Sequence, residues 1–319
     1  MLEALTIGSI AFLLSVILGK PIISMLIKYN ILKKVSDEIA ENHSGKTGTP
    51  TMGGLQILLT VLIITGIFNL ENRLSILLPF FAIFSCLIIG FIDDLRTTTS
   101  NANDGLSWKI KMFVLIMLSL SIAIILHFQL EVQSINVPIL GQISLNYYYL
   151  PIAMLVVFLT TISVAITDGL DGLLAGNAAI AFAAFAIIAY VQEQFYLAIF
   201  SFTMVGAILG FLWYNAYPAK VFMGETGALP IGVTLAIVSL MTGHWLLLPI
   251  IGIVFLLEAG SAVLQVLYFK ITSGKRIFKM TPLHHHFEIV GWSENQIVIR
   301  FWLIGLIGAI VGIALAITV

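Results

Sequence analysis

The sequence predicts an all-α polytopic membrane protein of about ten transmembrane helices, with a short outer β-hairpin and an active site at the cytoplasmic face. Three observations carry that expectation. Hydrophobic residues make up 60% of the chain and charged residues only 10%, well below the roughly 25% charge of soluble domains. The apolar residues fall into ten runs, each close to the roughly 20 residues that a span requires. The few polar clusters stand between those runs, at span ends.

The first run, residues 2–27, has no basic start and no convincing small-residue cleavage site, so it reads as a retained span rather than a signal peptide. Runs at 51–70 and 74–92 follow. Cys86 is the only cysteine, so no intrachain disulfide is possible, and its place inside an apolar run makes it a small buried hydrophobe. The fourth run is 110–127. Before the next, at 150–166, the stretch VQSINVPILGQISLNYYY alternates around Gly141 as a short β-hairpin does. Its tyrosines suit the membrane interface. Runs at 177–191 and 227–242 are the shortest of the set, which 196–214, 246–269 and 297–317 complete. No linker, low-complexity tract or repeat divides the chain, so residues 1–319 read as one membrane domain.

A net charge of −1 excludes a basic nucleic-acid-binding protein. The distribution of charge says more than the total. With both termini outside, the loops at 28–50, 93–111, 167–176, 215–226 and 270–296 share one side. They carry nearly all the lysines and arginines, Lys28, Lys33, Lys109, Lys111, Lys220 and Lys275 among them. The positive-inside rule makes that side cytoplasmic.

Four polar islands fall on that same face. In FIDDLRTTTS, Asp93 and Asp94 end an apolar helix, where a carboxylate either solvates the helix end or marks a site at membrane depth. In ITDGLDGLLAG, Asp168 and Asp171 lie at i and i+3 and share a face if the segment is helical. Such a pair suits Mg²⁺, which takes one or two carboxylates, water and substrate phosphates. The plainer reading is an Asp-Gly turn between spans. In NAYPAKVFMGETGALPIG, the Gly-Glu-Thr-Gly stretch sets backbone N–H groups beside Glu225, with Asn215 and Lys220 upstream. In GKRIFKMTPLHHHFE, contiguous His284, His285 and His286 are poorly placed to converge on one zinc ion. Contacts to a phosphorylated ligand, or to anionic lipid headgroups, fit the neighbouring Lys275, Arg276 and Lys279 better. A fifth segment, HSGKTGTPTMGG, fails the Walker pattern, yet Lys46 and Thr51 remain candidates for an anionic substrate.

Taken together, GKTGTPTMGG, FIDD, TDGLDGL, YPAKVFMGETGAL and RIFKMTPLHHHFE resemble the phospho-N-acetylmuramoyl-pentapeptide transferase (MraY) family, in order over nearly the whole chain. The aspartate motifs are shared across polyprenyl-phosphate sugar-1-phosphate transferases, and the histidine block is particular to the muramoyl-pentapeptide branch. The resemblance implies a ten-helix enzyme of the bacterial plasma membrane that uses Mg²⁺. Its reaction moves phospho-MurNAc-pentapeptide from UDP-MurNAc-pentapeptide to undecaprenyl phosphate, making lipid I and UMP for peptidoglycan. A homodimer is a further expectation. By the same resemblance Asp94 is the preferred base or phosphate-activating group, Asp93 a neighbouring catalytic carboxylate, and Asp168 catalytic or near the metal. Lys109 meets the diphosphate, Asp171 contacts the nucleotide, Phe222 stacks near uracil, Glu225 is the principal metal ligand, and His284, His285 and His286 line the substrate site.

The motifs also depart from the family's pattern. Glu225 stands where aspartate is usual and Ala165 where asparagine is common, three residues before Asp168. Leu95 replaces a frequent tyrosine, and Gly-Ala-Leu at 227–229 replaces Gly-Ser-Leu. Direct attack by the lipid phosphate is the preferred mechanism, with a covalent aspartyl-phosphate route behind it. The alternative functions are a catalytically weakened nucleotide, lipid or antibiotic-binding homologue, a sister transferase using another UDP-sugar, and a transporter. Collection of the polar residues at one face disfavours the transporter.

Overall fold

The computed structural model describes residues 1–33, 48–69, 74–99 and 105–318. In chain order the helices are α1 (Leu2–Lys28), α2 (Gly54–Phe68), α3 (Leu74–Thr99), α4 (Trp108–Phe128), α5 (Tyr149–Ile166), α6 (Leu173–Val191), α7 (Phe195–Asn215), α8 (Glu225–Met241), α9 (Leu248–Ile251), α10 (Ile253–Ile271), α11 (Leu283–Val290) and α12 (Glu294–Ile317). Strands β1 (Ser134–Val137) and β2 (Gly141–Ser144) pair antiparallel, with Ser134 opposite Ser144. Among the described residues eight helices are long and apolar enough to cross a membrane, and α2 and α8 are shorter apolar helices. All ten expected runs are therefore helical, and the chain is a multi-pass membrane protein.

Three boundaries differ from expectation. Helix α3 does not stop at the aspartate pair. It runs to Thr99, its extra turn supported by Thr97 and Thr98 hydroxyls that donate to the carbonyls of Asp93 and Asp94. The run at 246–269 is broken: Gly252 is non-helical and separates the single turn of α9, with Pro249 in its first turn, from α10. Glycine's conformational freedom lowers the cost of such a break. The histidine block is a short helix, bounded by Pro282 and by Gly291 at φ 105°.

Helix α8 is the axis of the bundle. Every residue from Thr226 to Leu240 is buried, as expected of a helix apolar on all sides. Helices α3 and α2 cross its first turn closely, because a Cβ at Gly90 or Gly54 would collide with the backbone at Glu225–Gly227. Where α1, α2 and α7 meet, Gln56 donates to the carbonyls of Ser15 at 2.9 Å and Gly210 at 3.1 Å. At the far end of α8, Asn136 of β1 donates its backbone N–H to the Gly243 carbonyl at 2.9 Å. The 17 residues of α8 thus hold hairpin and Glu225 about 25 Å apart, at opposite ends of the molecule.

Candidate active site

The site is assembled around the start of α8. Gly224 precedes it at φ 73°, and a side chain there would run into the carboxylate of Asp94; glycine meets both demands. Asp94 reaches across from α3 and satisfies the exposed donors of α8. Its Oδ1 accepts the Glu225 N–H at 3.1 Å, and its Oδ2 accepts the N–H and hydroxyl of Thr226 at 2.9 and 2.6 Å. A carboxylate at a helix N-terminus is held there by hydrogen bonds and by the helix dipole together.

Asp93, one residue earlier, turns the other way. Its Oδ1 accepts the Leu106 N–H at 2.7 Å, and its Oδ2 pairs with Lys111 Nζ at 2.9 Å. The same ammonium lies 2.9 Å from Glu225 Oε1, which leaves Glu225 Oε2 buried without a hydrogen-bond partner. One cation therefore bridges two carboxylates from α3 and α8. Lys109, expected at the diphosphate, is exposed on α4, and Lys111 is the lysine at the cluster.

Asp168 completes the arrangement from the turn between α5 and α6. A cavity of about 260 Å³ opens among Lys33, Thr51, Asp93, Asp94, Asp168 and Glu225, with Ala165 also on its wall. Burial pushes the Asp168 carboxyl up to about 7. The nearby charges of Glu225 and Asp94 add to that, while Lys33 and the Gly224 N–H oppose it.

The segment carrying Asp168 and Asp171 is a turn rather than a helix, so the two aspartates do not share a helical face. Asp171 Oδ2 accepts the Ala219 N–H at 3.0 Å, and its own N–H donates to Glu294 Oε1 at 2.8 Å. Asn215 ties the same turn to the next loop, accepting from Gly172 N–H at 3.0 Å and donating to the Val221 carbonyl at 2.9 Å. Phe222 exchanges backbone hydrogen bonds with Pro50 and Gly53, and Lys33 Nζ stands 4.9 Å from its ring centre. Lys46 lies outside the described residues.

The three histidines separate. His284 is buried, and its Nδ1 is 2.7 Å from Glu258 Oε2, a carboxylate with no exposed surface. Its ring packs on Gly169, leaving no room for a side chain there. His285 pairs with Glu288 at 2.6 Å, and His286 Nδ1 accepts the Lys279 N–H at 3.2 Å. Sequence reasoning overlooked Lys111, Glu258 and Glu294. Lys111 shares one stripe of α4 with Leu115 and Ser119, which the fold buries, but the sequence does not single it out, because Lys109 stands at the same spacing from Phe113 and Met117.

Among the described residues no three His, Cys, Asp or Glu side chains stand close enough to hold a metal by themselves. The donor set nevertheless fits Mg²⁺, which binds through one or two carboxylates and keeps water and phosphate as its other ligands. Glu225, whose Oε2 is orphaned while its Oε1 already draws a lysine ammonium, and Asp168 on the same cavity provide those carboxylates.

Span-length helices enclose a polar, carboxylate-lined cavity, and the relatives of the chain make it a membrane-embedded transferase. The family model described as glycosyl transferase family 4 matches residues 76–243, a stretch that holds Asp93, Asp94, Lys111, Asp168 and Glu225. The phospho-N-acetylmuramoyl-pentapeptide-transferase of Chloroflexus aurantiacus is 42% identical over 330 aligned positions, covering 99% of this chain and 90% of that protein. The protein of the same name from Listeria monocytogenes is 40% identical, with 97% of each covered, and that from Bacillus licheniformis 42% identical, with 98% of each covered. The chain belongs to the phospho-N-acetylmuramoyl-pentapeptide transferase family.

Proposed function

We propose that the protein transfers phospho-MurNAc-pentapeptide from its UDP carrier to undecaprenyl phosphate, giving lipid I and UMP. The observation that carries this reading is the meeting of Asp93, Asp94, Asp168 and Glu225 around one cavity at the start of α8, with Lys111 bridging Asp93 and Glu225. A diphosphate is the substrate such a cavity suits, because acidic and basic groups together hold a metal and balance phosphate charge.

In the reaction an oxygen of the lipid phosphate bonds to the sugar-bearing phosphorus, and the bond from that phosphorus to the bridging oxygen of UMP breaks. Glu225 and Asp168 would hold Mg²⁺, which would supply charge neutralisation on the diphosphate. Lys111 adds a second positive charge beside Asp93 and Glu225. Asp94 orients α8 and so fixes where Glu225 stands. Both oxygens of Asp93 and of Asp94 are engaged in hydrogen bonds, which favours direct attack by the lipid phosphate over a covalent aspartyl intermediate. Phe222 with Lys33 forms the flank for the uracil. Thr51, on the cavity wall, and Lys46 and Lys109 are assigned contacts to the anionic substrate. Asp171 and Asn215 shape the nucleotide side by fixing the loops that carry it. His284, His285 and His286 close the substrate side. The cavity faces the cytoplasm, with both termini outside.

The test is transfer from UDP-MurNAc-pentapeptide to undecaprenyl phosphate by purified protein with and without Mg²⁺, following UMP and lipid I, with Asp168→Asn as control. Lipid product from the parent alone, dependent on Mg²⁺, supports the assignment. Nucleotide binding with no lipid product would replace it by a binding homologue, and turnover of UDP-GlcNAc instead would replace it by a sister transferase.

A further inference from the structure

A groove between α10, α11 and α12 shares no lining residue with the carboxylate cavity and serves no step above. It encloses about 460 Å³, and its walls are nearly all hydrocarbon: Val254 and Leu257 from α10, Leu283 and Phe287 from α11, Leu303 and Ile304 from α12. One cation stands on its wall. Arg300 is exposed, in the second turn of a helix long and apolar enough to cross a membrane, and among the described residues it pairs with no carboxylate. A charged side chain in that position is costly unless it meets a counter-charge.

The aromatic residues beside it prepare the guanidinium for an anion. Its central carbon lies 4.0 Å from the centre of the Trp292 ring, and Trp292 is stacked on Phe287 at 4.3 Å with 17° between the planes. The ring contact holds the guanidinium in place while no carboxylate takes its N–H donors among the described residues, and that fork of donors matches phosphate.

The groove is polar at one end and apolar at the other. Glu294, at the start of α12, bonds the Asp171 N–H, so Arg300 lies toward the cavity's end of the molecule. Leu303 and Ile304 follow three and four residues on, one helical turn deeper on the same face. Opposite them, Val254 approaches Gly305. A phosphate on Arg300 therefore directs its chain down a hydrocarbon wall. Free phosphate would leave those walls bare.

We propose that this groove binds an anionic glycerophospholipid from the leaflet on the cavity's side, with the phosphate on Arg300 and an acyl chain along Leu303 and Ile304. Because the groove does not line the cavity, this lipid is a bound companion of the fold rather than the acceptor of the reaction.

The test uses the full chain purified in non-ionic detergent, incubated with equal amounts of phosphatidylglycerol and phosphatidylcholine and passed through gel filtration, with co-eluting lipid counted by mass spectrometry. Phosphatidylglycerol is expected to be retained selectively. Arg300→Gln should reduce that retention about fivefold, the weight of one basic side chain at an anionic surface. Ile304→Trp, which narrows the groove without changing charge, should also reduce it, and Lys28→Gln should not. Equal retention by Arg300→Gln and the parent, or equal uptake of phosphatidylcholine, overturns the proposal. Displacement of the phosphatidylglycerol by equimolar undecaprenyl phosphate overturns it too, by giving the groove to the acceptor. The readout is bound lipid, so the result stands whether or not the transferase reading survives.

Discussion

Lys111 carries the heaviest electrostatic duty of any single residue, because its ammonium is shared by two carboxylates that line the cavity proposed to receive phosphate. Lys111→Gln is expected to lower kcat by about 10²-fold, as removal of one preorganised charge does. Lys109→Gln, on an exposed position of the same helix, should change kcat by no more than about twofold; initial rates of UMP release measure both. Asp168 gives a pH prediction. Its carboxyl titrates near 7 in the fold against an ordinary value of 3.8, so folding favours the protonated form. The stability it contributes is full below about pH 4 and is lost as pH rises through 7. In Mg²⁺-free buffer the Tm of the parent should therefore fall relative to Asp168→Asn across that window. Added Mg²⁺, which favours the ionised form, should reduce the difference. The carboxylates themselves were legible in the sequence as polar islands. Which lysine they hold was not, because α4 is apolar on most sides and both lysines stand in its first turn.

Among the elements, the helix junctions are where polar groups support an apolar bundle. Gln56 bonds two backbone carbonyls where α1, α2 and α7 meet. Gln56→Leu leaves those acceptors and the Ser15 hydroxyl without their donor, a loss of about 1–3 kcal/mol, to be read as a lower Tm in detergent. The 167–172 turn depends on support from several elements: Asn215 at the end of α7, Glu294 at the start of α12 and His284 of α11. Gly169→Ala should displace the His284 ring and lower kcat by at least tenfold while nucleotide binding persists, which equilibrium binding set beside turnover would detect. The helices were legible because each run has span length. The extra turn of α3, the break at Gly252 and the histidine helix were not, since they depend on local hydrogen bonds and neighbours rather than on hydrophobicity.

For the whole molecule, α8 separates the hairpin from the cavity, and the orientation proposed above, with the basic loops inside, can be tested from the two ends. With Cys86 buried as the only native thiol, single-cysteine labelling starts from a clean background. Ile139→Cys at the exposed hairpin tip should react with a membrane-impermeant maleimide in intact cells, and Lys275→Cys should react only after lysis. Reversal of that pattern would invert the orientation and place the cavity outside.

The sequence by itself determined that the chain crosses the membrane many times, which segments between spans carry the basic residues, and which motifs stand at span ends, because hydrophobic length and charge distribution are properties of the linear chain. The motifs also sufficed for the family. Only the tertiary structure decided that Asp94 caps α8, that Lys111 joins Asp93 to Glu225, and that Glu258 holds His284. Each of those pairs is made across helices, between residues at least 18 positions apart, and no local periodicity encodes which buried charge will meet which.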